Sequence, residues 1–130
     1  MGLRWYTTVI DCHDVHAQAA WWAQALGWSV AVDQPDEVIL VPPHAFTTGA
    51  QLPPEERGPG LCFVPVPEGK QLKNRLHLDL APRADDDLEA EVARLLALGA
   101  HRIDVGQPDG AVVLTDPEGN ELCVLSPRDQ

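Results

Sequence analysis

Apolar and polar residues alternate strictly over residues 74–80, Asn-Arg-Leu-His-Leu-Asp-Leu. Leu76, Leu78 and Leu80 interleave with Arg75, His77 and Asp79. Successive side chains of a strand point to opposite faces, so this stretch predicts one apolar face and one face of ionisable groups. Residues 5–12 are rich in β-branched and aromatic side chains and predict a first strand. Asp14 can then cap a helix that runs to Gly27, a residue suited to the left-handed C′ position. Residues 28–32 and 37–41 predict two short strands around the turn Asp33-Gln34-Pro35-Asp36. Residues 61–66 predict another.

The second half repeats the order. After the strand 74–80, Pro82 and Asp85-Asp86-Asp87 open a helix in which Leu88, Val92, Leu95 and Leu96 form one apolar stripe. Gly99 ends it. Residues 101–105 and 111–114 predict strands joined through Gln107-Pro108-Asp109-Gly110. The turn Asp116-Pro117-Glu118-Gly119 leads into a closing strand at 120–125. Ala25-Leu26-Gly27 and Ala97-Leu98-Gly99 end the two helices alike, and Leu61-Cys62-Phe63 parallels Leu122-Cys123-Val124. The expected architecture is α+β: two βαβββ modules in tandem, about 5–66 and 74–126, within a single domain spanning 1–130. Residues 42–60 break the pattern with five prolines, at 42, 43, 53, 54 and 59. Proline donates no ladder hydrogen bond, so this is a long loop of the kind that serves as a lid or binding loop.

Composition narrows the function. The formal net charge is −11, with only 9 Lys and Arg. Nucleic acid and anionic membrane surfaces are therefore not expected partners. No apolar run approaches the ~20 residues of a membrane helix, and no export signal is visible, so a cytoplasmic location is expected. Cys12, Cys62 and Cys123 are then expected to be free thiols.

Asp11-Cys12-His13-Asp14 leading to Ala25-Leu26-Gly27-Trp28 resembles the vicinal oxygen chelate superfamily, the glyoxalase/bleomycin-resistance fold. So do residues 73–80, Lys-Asn-Arg-Leu-His-Leu-Asp-Leu, and Leu114-Thr115-Asp116-Pro117-Glu118-Gly119-Asn120-Glu121. The resemblance spans residues 5–126. It implies that the modules form an eight-stranded cup-shaped mixed sheet with a ligand inside, in a protein that often pairs as a homodimer. It also implies a divalent ion held by four His, Glu or Gln side chains, one from the first and one from the last strand of each module. Carried over by position, those ligands are Thr7, Cys62 or Val64, His77, and Cys123. Only His77 is of the family's usual type, so the hard-oxygen site is broken and no cofactor is expected from it.

Other chemistry remains open. Cys62, His77 and Cys123 could hold zinc if they converge. His77 and Asp79 share a strand face, with Glu121 a further acid–base candidate. Thr7, Asp11, His77, Asp79, Cys123, Trp28, Phe46 and Arg75 are candidate ligand-binding residues. Trp5, Trp21, Trp22, Trp28 and Tyr6 could supply a flat wall for a planar ligand. Trp21 and Trp22 are adjacent in a helix, so one is expected to face the sheet and the other a partner or solvent. Lys70, Lys73 and Arg75 could draw in an anion, and His44 and Phe46 could close over it. The expected function is binding of a small organic molecule, aromatic or anionic, without the family metal. The alternative is a lyase, isomerase or dioxygenase using a divalent metal or His77/Asp79 acid–base chemistry.

Overall fold

The computed structural model describes residues 2–106 and 112–130. It divides into two compact units, Met1–Gly69 and Lys70–Gln130.

In the first unit β1 (Thr7–Cys12) is followed by α1 (Val15–Leu26), β2 (Ser29–Gln34), β3 (Glu37–Val41) and β4 (Gly60–Pro65). The strands form one sheet in the order β1-β4-β3-β2. β1 pairs with β4 in parallel, Thr7 against Gly60 and Val9 against Cys62. The helix starts as expected, with the Asp14 carboxylate accepting from the Ala17 N–H at 3.1 Å. It stops at Gly27, whose φ of 67° suits a residue without a Cβ. α1 packs on β3 and β4. Val38, Leu40, Leu61 and Phe63, which alternate with the other sheet face, are all buried. Register places Thr7, Val9, Ile39, Val41, Gly60 and Cys62 together on that other face.

The two tryptophans differ from expectation. Trp21 and Trp22 are both buried, their rings edge to face with centroids 5.0 Å apart. Val15, Gln18, Ala19, Trp22 and Ala25 form the buried stripe, and small alanines beside it leave room for the second indole. Neither ring is therefore available to solvent or a partner.

The segment between β3 and β4 is built, not featureless. Three short 3₁₀ turns, Pro43–Phe46, Thr48–Gln51 and Pro54–Glu56, satisfy its backbone. Two of them begin on proline, which supplies the required φ and has no N–H to orphan.

In the second unit β5 (Leu78–Leu80), α2 (Leu88–Leu98), β6 (His101–Arg102), β7 (Val112–Thr115) and β8 (Glu121–Val124) follow the same order. Their sheet runs β5-β8-β7-β6. Among the described residues the eight strands form two four-stranded mixed sheets, one per unit, as an α+β fold of two βαβββ modules requires. α2 begins later than its acidic run suggested: Asp87 is the cap, accepting from the Glu89 N–H at 3.0 Å. Val92 and Leu95 of the expected stripe are buried, and Leu88 and Leu96 are half-buried. β6 is shorter than the expected 101–105. The turn at 107–110 and the start of the strand expected at 111 lie outside the described residues.

Asn74–Leu80 is the larger correction. Only its last three residues are strand, and Leu76 is 89% exposed. Parallel pairing starts at Leu78 against Leu122; by the same register His77 would face Glu121 and Leu76 would face Asn120. Asn120 is committed elsewhere. Its backbone N–H and side-chain amide both donate to the Asp116 carboxylate, at 3.0 and 3.1 Å. Asp116, 1% exposed, also accepts from the Glu118 N–H, and Gly119 closes the turn with φ of 90°. The turn thus takes up the residue that Leu76 would face, while the Glu121 carbonyl accepts from the Asn74 side chain.

Candidate functional site

Two places gather chemistry, one in each unit. In the first unit the sheet face opposite α1 and the 3₁₀ loop enclose a cleft of about 370 Å³. Thr7, Ile39, Val41 and Gly60 form its sheet side, and His44, Ala45, Phe46, Gly49 and Ala50 its loop side. Trp5, Tyr6, Arg4 and Arg57 complete the wall. Tyr6 and Phe46 are well exposed for aromatic residues, at 68% and 61%. The loop is fitted closely: a Cβ on Gly49 would lie 2.8 Å from both His44 Cδ2 and the His44 carbonyl oxygen. Thr7 and Phe46 are the two candidate ligand-binding residues that line this cleft. Asp11 lies further along β1, and Trp28 follows α1; neither is part of the lining.

In the second unit His77, Asp79 and Cys123 converge. One ligand atom of each lies within 4.8 Å of the others, and His77 Nε2 is 3.2 Å from Asp79 Oδ1. Register explains it, since Asp79 sits directly beside Cys123 on the parallel strands β5 and β8. Burial pushes the Cys123 thiol up, and the charge and hydrogen bond of Asp79 push it further, with Lys73 opposing. Cys62 occupies the matching place on β4. Its thiol is likewise raised, by burial first and then by the charge and hydrogen bond of Glu37. Each closing strand thus carries a protonated thiol turned toward a carboxylate.

Glu121 is used differently. It is buried, and Lys70 Nζ lies 3.2 Å from its carboxylate. The same oxygen, Oε2, accepts from the Asn74 N–H at 3.1 Å, Lys70 also reaches Oε1 at 3.3 Å, and the Asn74 side chain donates to the Glu121 carbonyl. Burial raises the Glu121 pKa, but hydrogen bonds from backbone N–H groups and the Lys70 ammonium outweigh it and hold the carboxyl below its usual range. Lys70 is thereby committed, and Arg75 is exposed in the bend before β5.

The donors that the family resemblance assigns to a divalent ion do not fit a hard octahedral ion. Thr7, Cys62 or Val64, His77 and Cys123 together offer one imidazole and no carboxylate. Octahedral Mg, Mn or Fe sites want oxygen ligands. His77, Asp79 and Cys123 do fit a borderline ion such as zinc by donor type. Tetrahedral zinc with bonds of about 2.0–2.3 Å sets ligand atoms about 3.3–3.8 Å apart, and the three atoms here lie within 4.8 Å of one another.

Tandem βαβββ units place the chain in the glyoxalase/bleomycin-resistance class of α+β folds. The family model described as "Glyoxalase-like domain" matches residues 7–125, and the chain belongs to that family. No curated protein sequence matches it. Among solved structures it is similar to a glyoxalase/bleomycin resistance protein/dioxygenase family enzyme from Burkholderia phytofirmans PsJN. The TM-score is 0.69 at 16% identity, over 95% of this chain and 98% of that one. It is also similar to a mutant fosfomycin resistance protein, FosX, from Listeria monocytogenes, complexed with Mn(II) and 1S,2S-dihydroxypropylphosphonic acid. There the TM-score is 0.68 at 10% identity, over 98% and 91% of the chains. A glyoxalase-related enzyme from Fulvimarina pelagi gives 0.62 at 16%, over 92% and 86%. At these identities the likeness is one of fold.

Proposed function

We propose that this glyoxalase-like domain binds a small organic molecule in the cleft of its first unit, independently of the family's usual metal. The observation that carries this reading is the cleft itself. It has ligand-sized volume, it is lined by Trp5, Tyr6 and Phe46, and its floor is the sheet face that α1 leaves uncovered. Binding at a preformed aromatic wall asks nothing of Cys62 or Cys123, whose thiols remain protonated near neutrality. The test is a thermal-shift and tryptophan-fluorescence titration against planar aromatic compounds. A ligand should raise the melting temperature and quench emission, and Phe46→Ala should abolish both effects while His77→Ala leaves them. Quenching that persists in Phe46→Ala and disappears in His77→Ala would overturn the assignment.

The cluster in the second unit favours a second reading, an enzyme. In it His77, Asp79 and Cys123 hold a zinc ion, which when bound would act as a Lewis acid, or His77 and Asp79 exchange a proton with a substrate. Protein stripped with chelator, reloaded with zinc and analysed for retained metal separates the two. One equivalent held by the native chain and lost in Cys123→Ser supports the enzyme; no retained zinc removes the metal from it.

A further inference from the structure

We infer that the first-unit cleft selects planar aromatic carboxylates, with Arg4 and Arg57 recognising the anion and Tyr6 and Phe46 the ring. This rests on the binding reading above and names its ligand class.

The charge of the cleft runs against that of the chain. The sequence holds 20 Asp and Glu against 9 Lys and Arg. Yet among the described residues the lining holds the cations Arg4 and Arg57, with His44 beside them and no carboxylate. Two other arginines meet acids, Arg83 with Asp129 and Arg94 with Glu91, while Arg128 donates to Ser126. Among the described residues, neither cleft arginine has an acidic partner. Both are held instead by backbone carbonyls. Arg57 donates from Nε to Leu52 at 2.8 Å and from Nη2 to Ala50 at 3.3 Å. Arg4 donates from Nη1 to Pro54 at 3.1 Å. These bonds position the guanidinium groups without neutralising them. A guanidinium carries five N–H donors, so both retain free ones in a fork suited to a carboxylate.

The aromatic part is built beside them. The Arg4 guanidinium lies over the Tyr6 ring, 5.4 Å from its centroid. That cation–π contact holds the guanidinium beside the aromatic wall. Phe46 is held in place on the loop side by the 3₁₀ turn Pro43–Phe46. A cleft of about 370 Å³ is at the small end of ligand sites, which suits one or two fused rings. The Lys70, Lys73 and Arg75 group suggested by sequence is not part of this lining.

The experiment is isothermal titration of the intact protein with 1-naphthoate, with its neutral isostere 1-naphthamide, and with acetate, at low ionic strength. Naphthoate should bind roughly tenfold or more tightly than naphthamide, as charged hydrogen bonds exceed neutral ones, and acetate should not bind measurably. Added salt should narrow the gap. Arg4→Met should bring naphthoate down to the level of naphthamide, and Phe46→Ala should weaken both together. Equal affinity of naphthoate and naphthamide in the native chain, needing no variant, overturns the anion assignment and leaves the binding reading standing. Acetate binding as well as naphthoate overturns the aromatic part. No binding of either naphthalene compound overturns the inference and the cleft reading together.

Discussion

Removing the Glu121 carboxylate probes how the second unit is held together. Glu121→Ala would leave Lys70, whose side chain is 19% exposed, without its counter-charge, and the Asn74 N–H without an acceptor. Breaking a fully buried ion pair from one side costs about 3–5 kcal/mol. Lys70 can turn to water, which trims this, while the lost backbone acceptor adds about 1 kcal/mol. The net expectation is about 2–4 kcal/mol for Glu121→Ala, and about 1–2 kcal/mol for Glu121→Gln, which keeps an acceptor oxygen. The carboxyl is held below its usual range in the fold and returns to about 4.3 in the unfolded chain. Its contribution is therefore fully present above that value and is lost as pH falls through the folded-state pKa. Urea denaturation of native protein and both variants, at pH 7 and at steps down to pH 3.5, reads this directly. The gap between native and Glu121→Gln should be constant above about pH 5.5 and close in acid. A Glu121→Ala cost below about 0.5 kcal/mol at pH 7, the level of an ordinary surface change, would refute the reasoning. So would a gap as wide at pH 3.5 as at pH 7.

The helix caps and the loop give further expectations. Asp14→Ala and Asp87→Ala each remove a side-chain acceptor from the first turn of a helix and should cost about 1 kcal/mol apiece in denaturant unfolding; additive losses are expected, since the two lie in separate units. Gly49→Val would drive a side chain into His44, where a Cβ alone already comes within 2.8 Å. It should displace the loop and weaken naphthoate binding by at least tenfold with a smaller change in global stability, and unchanged affinity would show that the loop does not shape the cleft.

Much of the fold could be read from local chemistry. Both helix ends, at Gly27 and Gly99, and the turn at 116–119 are set by residues adjacent in sequence, so capping and turn rules found them. The misreadings came from competition at a distance. The alternation of 74–80 is a sound strand pattern, but a strand needs a partner: Asn120, which Leu76 would face, is held by the Asp116 turn, and the Glu121 carbonyl accepts from the Asn74 side chain. Trp21 and Trp22 point about 100° apart, yet the alanines around them allow both to be buried. The candidate chemistry was legible in part. Alternation put His77 and Asp79 on one face, and the strand register added Cys123. Arg4 and Arg57 went unnoticed because no periodicity links residues 53 positions apart (57 − 4). Their only sequence signal was scarcity: two of nine basic residues flank the aromatic N-terminal strand and the proline-rich loop.

Amide chemical-shift mapping with 1-naphthoate tests the first-unit cleft as the binding site most directly. Shifts concentrated at Tyr6, Thr7, Ala45, Phe46, Gly49 and Gly58, saturating together, are the result expected. Shifts centred on His77, Asp79 and Cys123 with the cleft residues unmoved, or no shifts at all, would contradict it.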